Sequence, residues 1–196
     1  MIIGLTGGIA SGKSTAARHL SENGAFVMDG DVLGHRAYEP NTAAFAQITE
    51  TFGSEVVGAD GQINRKALGG KVFGNPNALK QLTDILYPEI RRMFGEWIET
   101  TQADNPNALL VMDAAVLLEA GWEDLADETW VIIVDPNTAV SRAVARDGLD
   151  EAAVSKRIAS QLSNDERSAR ADVVIDNTGN EAALIARLEV ELKRIR

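Results

Sequence analysis

A glycine-rich octapeptide, Gly-Gly-Ile-Ala-Ser-Gly-Lys-Ser, occupies residues 7–14 and restricts the folds open to this chain. It matches the pattern G-x-x-x-x-G-K-[ST] in full, with an apolar run before it and a helix-forming run from Thr15 to Leu20 after it. The glycines let main-chain N–H groups turn toward phosphate oxygens, and the following helix adds its unpaired amides and positive dipole end. A glycine-rich turn of another kind is the alternative, but the motif in this context predicts a strand, a phosphate loop and a helix that bind a nucleoside triphosphate.

The residues of this loop have separate expected roles. Lys13 can reach the β- and γ-phosphates, and the Ser14 hydroxyl can ligate Mg²⁺. The residues expected to contact the nucleotide here are Gly8, Ile9, Ala10, Ser11, Gly12, Lys13, Ser14 and Thr15.

Short apolar runs alternate with helix-length segments along the chain. Runs that are apolar at successive positions are typical of strands buried on both faces of a parallel sheet, so the alternation predicts an α/β fold. Ligands of such sheets lie outside the carboxyl ends of the strands. The aspartates that end four of the runs therefore either face one crevice or only cap the helices that follow. The runs are residues 2–6, 25–29, 109–113, 130–135 and 173–176, and the aspartates are Asp29, Asp113, Asp135 and Asp176.

Two helical excursions interrupt the alternation. Helical patterns at 42–52, 63–73 and 76–102 predict a separate helical subdomain over residues 42–105. A second excursion, at about 137–163, carries Arg142 and Arg146, which are four residues apart and so share one helix face. Solvated surface arginines are the alternative, but beside a phosphate loop the pair favours a lid that covers the phosphates.

The second apolar run ends in Asp29-Gly30-Asp31, which places carboxylates where a small acceptor would meet the triphosphate. Transfer of the γ-phosphoryl group needs a carboxylate to orient or deprotonate the attacking hydroxyl. A GTPase switch is disfavoured, because residues 31–34 match Asp-x-x-Gly only 18 residues after Lys13 and no Asn-Lys-x-Asp occurs. A small-molecule kinase is therefore favoured, and a regulatory nucleotide-binding protein stays open.

Composition narrows the expected partners. The 29 acidic and 19 basic residues give a net charge of −10 without any basic block, which disfavours nucleic-acid binding. With no cysteine, disulfides, thiolate metal sites and a cysteine nucleophile are excluded. No basic, apolar leader precedes the loop and no run approaches 18 apolar residues. We expect a cytoplasmic monomer that binds a small molecule and neither nucleic acid nor membrane.

A set of short segments follows one order along residues 2–178. They are Gly4-Leu5-Thr6-Gly7-Gly8-Ile9, Ser11-Gly12-Lys13-Ser14-Thr15, Asp29-Gly30-Asp31, Phe52-Gly53, Asp60-Gly61, Asn64-Arg65, Val72-Phe73, Leu117-Leu118-Glu119, Arg142, Arg146, Gln161 and the run from Ala171 to Asn177. As a set they resemble the dephospho-CoA kinase family. In residues 33–38 and 113–122 the likeness is nearer to the kinase domain of animal bifunctional CoA synthase. Tyr87, Ala115 and Ala139 depart from the common bacterial pattern, in which histidine, proline and glutamine are usual.

The resemblance implies a P-loop kinase core with a five-stranded parallel sheet over residues 1–41 and 106–196, including the lid at about 137–163. Residues 42–105 would then bind the CoA moiety. ATP, with Mg²⁺, would donate its γ-phosphoryl group to the 3′-hydroxyl of 3′-dephospho-CoA. Another small-molecule kinase, for a nucleoside or a nucleotide, is the alternative reading.

We assign site residues on this basis. Asp31 is expected to accept the proton of the acceptor hydroxyl, while Lys13 and the loop amides hold the phosphates. The remaining expected residues are Ser14 and Asp113 at Mg²⁺, Arg142 and Arg146 over the phosphates, Asn177 beside the ATP base, and Arg65, Tyr87 and Leu117 at the acceptor.

Overall fold

The structure is a computed structural model that describes residues 1–148 and 150–196. The chain forms two compact units, one of Met1–Met28 with Asp104–Arg196 and the other of Asp29–Ala103. Leu149, inside the expected lid, lies outside the described residues.

A five-stranded sheet with the order β2-β3-β1-β4-β5 forms the centre of the first unit. Its strands are β1 (Ile2–Gly7), β2 (Phe26–Asp29), β3 (Leu110–Asp113), β4 (Glu128–Ile133) and β5 (Val173–Asp176). β1 pairs in parallel with β3 and β4, and β4 pairs in parallel with β5. This arrangement confirms the predicted α/β fold with a parallel sheet.

The central strands are buried on both faces, which explains their uninterrupted apolar sequences. All four residues of β3 and five of the six in β1 are buried. Helices α1 (Lys13–Glu22) and α9 (Glu181–Ile195) pack against each other, and both add apolar side chains to the core under the sheet. The core residues that these helices contribute are Ala16, Ala17, Leu20, Leu184, Leu188 and Leu192.

The second unit is helical and has its own apolar core. Its helices are α2 (Gly30–Ala37), α3 (Ala43–Phe52), α4 (Arg65–Val72) and α5 (Pro76–Asp104). The three helices expected from the sequence at 42–52, 63–73 and 76–102 thus correspond to α3, α4 and α5. A turn at Asp60-Gly61 precedes α4, with Gly61 at a φ of 76° and the Gly58 amide bonded to the Gln62 carbonyl. Ile48, Phe52 and Leu68 are among the residues of this core.

The second excursion is also helical, as α6 (Pro136–Asp147), α7 (Glu151–Ala159) and α8 (Asn164–Ser168). The expectation that the fourth strand ends at Asp135 is wrong, because β4 ends at Ile133, opposite Asp176, the last residue of β5. Asp135 instead caps α6, and its side chain accepts a hydrogen bond from the Thr138 amide at 3.0 Å. Hydrogen bonds from Thr138 hold the pKa of the Asp135 carboxyl below its usual range.

Within residues 1–148 and 150–196, no helix combines the length and the apolar character needed to cross a membrane.

Arg167, in α8, is fully buried and anchors this region. Its Nε donates to the Leu162 carbonyl at 3.1 Å, and its Nη2 pairs with Glu119 at 3.2 Å. We expect Arg167→Leu to lower the free energy of unfolding by about 2 to 4 kcal/mol, because the Glu119 carboxylate loses its buried partner. Urea denaturation would measure the loss.

Arg18→Leu is the matched control for Arg167→Leu. Arg18 pairs with Glu181 at 3.0 Å, but both side chains are exposed, so this substitution should change stability little. Equal losses for the two variants would contradict the anchoring role of Arg167.

Candidate active site

The loop between β1 and α1 has the backbone conformation of an anion cradle. Ala10 and Gly12 have left-handed φ angles of 57° and 97°, and the Ser11 amide bonds back to the Gly8 carbonyl at 3.1 Å. A Cβ atom at Gly7 would lie 2.6 Å from the Ile132 carbonyl oxygen, so only glycine fits there. Successive residues of this kind turn N–H groups inward and create a concave site for phosphate.

Asn177 packs directly on this loop from the end of β5. Its Nδ2 donates to the Ser11 carbonyl at 2.7 Å, and the amide is buried. Among the described residues, the Ser11 hydroxyl and the Asn177 Oδ1 are buried without a hydrogen-bond partner. Buried polar atoms are nearly always satisfied, so these two orphaned atoms fit a loop that is completed by a ligand or by water.

Gly12 is required both by its own backbone and by Asn177. A Cβ atom at Gly12 would overlap Nδ2 of Asn177, in addition to the strain of the left-handed conformation. We expect Gly12→Ala to destabilise the fold by about 2 to 4 kcal/mol, since strain is joined by loss of the bond to Ser11. Thermal unfolding and nucleotide titration would measure the two effects.

Gly24→Ala separates strain from overlap. Gly24 has a φ of 87°, close to that of Gly12, but no atom lies within 4 Å of the Cβ position. This control should show the strain of about 1 to 2 kcal/mol alone and should leave nucleotide affinity unchanged. If the two variants behave alike, the contact with Asn177 does not shape the loop.

Lys13 and Asp113 are brought together by the pairing of β1 with β3. The Lys13 ammonium bonds the Asp113 carboxylate, with side-chain exposures of 17% and 9%. The sequence predicted both residues to lie at the nucleotide, and in the structure they form an ion pair at the carboxyl edge of the sheet. The pair therefore places one cation and one carboxylate beside the phosphate loop.

Arg142 contacts the segment that follows β5. Its guanidinium donates to the carbonyls of Asn177 and Gly179 at 2.9 and 2.6 Å. A small cavity of about 220 Å³ lies at the same place and is lined by Ala10, Gly12, Thr15, Arg142, Asn177, Glu181 and Leu184. Five residues assigned to the nucleotide, from three distant parts of the sequence, therefore surround one space.

Arg146 has different surroundings. Its side chain is exposed and pairs with Asp147 at 2.7 Å, and this hydrogen bond raises the pKa of Arg146 and lowers that of Asp147. Its assignment to the phosphates stays a prediction.

Asp29 and Asp31 have distinct positions at the start of α2. The Asp29 carboxylate caps the helix and accepts from the Asp31 amide at 2.7 Å. Asp31 lies in the first turn and is exposed, and no described side chain bonds its carboxylate. Asp29 is therefore the capping residue, which leaves Asp31 available for chemistry.

The residues assigned to the acceptor differ in exposure. Arg65 is exposed at the start of α4. Burial raises the pKa of the Tyr38 phenol, and the charge of Arg65 opposes this rise. Tyr87 is half-buried within α5. Leu117, in the first unit, is fully buried and packs over Gly4, where a Cβ atom would lie 2.9 Å from its Cδ1. These three assignments stay predictions.

Gln161 also contacts the loop, and the sequence did not predict this contact. The Gln161 side chain reaches the phosphate loop, where its Oε1 accepts from the Ile9 amide at 2.9 Å. The segment resemblance included Gln161 but implied no role for it. Because 152 positions separate the two residues, only tertiary structure could reveal the pair.

Comparison with protein families gives a consistent result. A family model for dephospho-CoA kinase matches residues 1–183. A dephospho-CoA kinase of Geobacter sulfurreducens is 44% identical over 189 residues, which cover 96% of this chain and 95% of that protein. One from Anaeromyxobacter dehalogenans is 42% identical over 196 residues, covering 100% of this chain and 92% of the relative.

Solved structures with the same fold include proteins of moderate and of low identity. TT1252 from Thermus thermophilus has a TM-score of 0.83 at 33% identity, covering 100% of this chain and 98% of its own. A dephospho-CoA kinase from Campylobacter jejuni has a TM-score of 0.66 at 26% identity, with coverages of 99% and 96%. A shikimate kinase from Bacteroides thetaiotaomicron, at 14% identity and a TM-score of 0.56 with 98% of both chains covered, shares the fold alone.

Proposed function

This chain belongs to the dephospho-CoA kinase family, and from that membership we propose that it transfers the γ-phosphoryl group of ATP to the 3′-hydroxyl of 3′-dephospho-CoA. The products are CoA and ADP. The single observation that carries the proposal is the phosphate loop of residues 7–14, whose left-handed turns and unpartnered Ser11 hydroxyl form a cradle for a polyphosphate.

The residues at the loop also fit Mg²⁺. The ion prefers oxygen ligands, keeps several waters and is commonly held by one or two protein oxygens together with substrate phosphates. The Ser14 hydroxyl, in the first turn of α1, and the Asp113 carboxylate supply such oxygens. Among the described residues no group of three or more histidine, aspartate or glutamate side chains could hold a metal, so substrate phosphates would complete the coordination. When bound, the ion neutralises charge on the β- and γ-phosphates.

The proposed reaction moves one proton and exchanges one P–O bond for another. In our proposal Asp31 accepts the proton of the acceptor hydroxyl. The oxygen of that hydroxyl bonds to the γ-phosphorus while the bond between the γ-phosphorus and the bridging oxygen of ADP breaks. Lys13 and the loop amides stabilise the negative charge that moves to the leaving oxygen. Arg142 adds a second cation and, with Arg146, covers the phosphates from the lid at residues 137–163.

We assign the acceptor to the helical residues 42–105. Arg65, followed by Lys66, is an exposed cation at the start of α4 that suits a pyrophosphate group. Tyr87 offers an aromatic surface for the rest of the acceptor. Leu117 belongs to the other unit and, being fully buried, would act by supporting the site.

The test is formation of CoA by the purified protein from 3′-dephospho-CoA and Mg-ATP. Mass spectrometry identifies the product, and coupled ADP release measures turnover. Nucleosides and nucleoside monophosphates serve as competing acceptors. Faster turnover with one of them would instead establish the alternative, a nucleoside or nucleotide kinase.

We further propose that the enzyme acts in the cytoplasm as a monomer that binds no nucleic acid. Size-exclusion chromatography with light scattering tests the monomeric state, for which a mass near 21.0 kDa is expected. A stable dimer would contradict it.

A further inference from the structure

Gln161 lies where the lid segment meets the phosphate loop. The Ile9 amide donates to its Oε1 at 2.9 Å, and a Cβ atom at Gly8 would be 3.5 Å from the same oxygen. Nothing in the mechanism above uses this side chain, although it touches the loop that binds the triphosphate.

The bond to Ile9 fixes which way the carboxamide of Gln161 points. A backbone N–H can only donate, so its partner must be the acceptor Oε1 and not the NH₂ group. The two N–H donors of Nε2 are then directed away from Ile9. No other described residue bonds Nε2, so these donors are available beside a loop whose purpose is to present donors to an anion.

The chain on both sides of Gln161 is held in place. The Gln161 amide bonds the Ile158 carbonyl at 3.1 Å at the end of α7. The next carbonyl, that of Leu162, accepts from the buried Arg167 at 3.1 Å. Ser163 and Glu166 then form a capping box that begins α8. A side chain carried on such a fixed segment is suited to recognition, because little entropy is lost when it binds.

Two cavities border the loop, and different loop residues line them. The smaller one, of about 220 Å³, is lined by Thr15, by Arg142 and by Asn177, of which we assign only Asn177 to the base. The larger one, of about 770 Å³, includes Gly8, Ile9, Gln161 and the acidic side chains Asp165 and Glu166. The Glu166 carboxylate faces Ser163, whose amide and hydroxyl donate hydrogen bonds to it at 2.8 and 2.7 Å. A triphosphate whose terminal group lies at Gly8 and Ile9 would therefore meet Gln161.

We propose that Gln161 binds the terminal phosphoryl group of the triphosphate through Nε2, while its Oε1 stays on the Ile9 amide. The side chain thus adds two donors to the ring of main-chain amides and distinguishes ATP from ADP. This inference rests on the proposed use of ATP, and it concerns the γ-phosphate alone.

The experiment compares the binding of a non-hydrolysable ATP analogue with that of ADP by calorimetry. Gln161→Glu keeps an acceptor for Ile9 but removes both donors, and Gln161→Ala removes the acceptor and the donors without adding charge. In both variants we expect affinity for the analogue to fall by about 10- to 100-fold, the effect of losing hydrogen bonds to a charged group. Affinity for ADP should fall by less than about 3-fold in Gln161→Ala.

Asn107→Asp provides the matched control, because it makes the same amide-to-acid change at an exposed position before β3, at the amino end of the strands. It should leave both affinities unchanged. Thermal unfolding of every variant shows whether the fold is retained. If Gln161→Ala loses ADP and analogue affinity equally, or loses neither, the proposal is overturned.

The binding experiment uses no acceptor, so its outcome is separate from that of the CoA assay. A wild-type protein that makes CoA but shows no Gln161 effect on the analogue contradicts this inference and leaves the proposed function standing. A protein that makes no CoA but shows the effect contradicts the proposed function and supports this inference. In the active enzyme, kcat should also fall by about 10²-fold, as expected for the loss of one transition-state donor.

Discussion

Replacement of Arg142 by alanine is expected to lower kcat by about 10³- to 10⁵-fold, the range for an arginine that stabilises the transferring phosphoryl group. The structure supports this role for Arg142 because its guanidinium contacts the segment after β5, where it donates to the carbonyls of Asn177 and Gly179. Both carbonyls are neutral acceptors, so a phosphate can compete for the same donors with a stronger, charge-assisted bond. Steady-state kinetics with Mg-ATP and 3′-dephospho-CoA would measure the loss.

Two further variants make this prediction specific. Arg142→Lys should restore little activity, because an ammonium cannot reproduce the planar fork that now spans two carbonyls. Arg187→Ala removes an arginine from α9 that pairs with Glu191 at 2.7 Å, and it should leave kcat within about twofold. Near-normal turnover of Arg142→Ala would remove this residue from the phosphate site.

Asp31→Asn is expected to lower kcat by about 10²- to 10⁴-fold with little change in ATP affinity, because it removes a general base and leaves the phosphate loop intact. The side chain keeps its size, and Asp31 is not the cap of α2, so the fold should be unaffected. Turnover and calorimetric titration of ATP measure the two quantities separately.

Asp29→Asn is the natural comparison, since the two aspartates are only two positions apart. Asp29 caps the helix through its carboxylate oxygen, and asparagine caps helices about as well as aspartate does. This variant should retain both stability and most of its activity. If instead Asp29→Asn is the inactive variant and Asp31→Asn turns over normally, the roles assigned to the two carboxylates are reversed.

The sheet could be predicted because its strands are buried on both faces and so leave a continuous apolar signal. The run at 173–176 has the observed bounds of β5. The fourth strand ended earlier than predicted, because a strand lasts only as long as its neighbour pairs with it and β5 stops opposite Ile133. That limit is a property of the partner strand and is absent from the local sequence.

The strand, loop and helix of the phosphate-binding motif could also be predicted from the sequence, since the loop directly follows β1 and leads into α1. The contacts that Asn177 and Gln161 make with the loop could not, because they join residues 166 and 152 positions apart. Arg167 was missed for another reason. A charged residue in a short polar helix predicts a solvated surface, yet this side chain is fully buried and bonds Leu162 and Glu119.

The position of β1 in the middle of the sheet affects how the protein emerges from the ribosome. Of the five strands of the sheet, β1 is made first, but its neighbours β3 and β4 begin more than 100 residues later. At translation rates of 5 to 20 residues per second, the apolar strand waits roughly 5 to 20 s for a partner. During that interval the nucleotide cannot assist folding, because the loop has no sheet to support it. Until β3 and β4 emerge, β1 is therefore an unpaired apolar strand that is open to pairing with other chains.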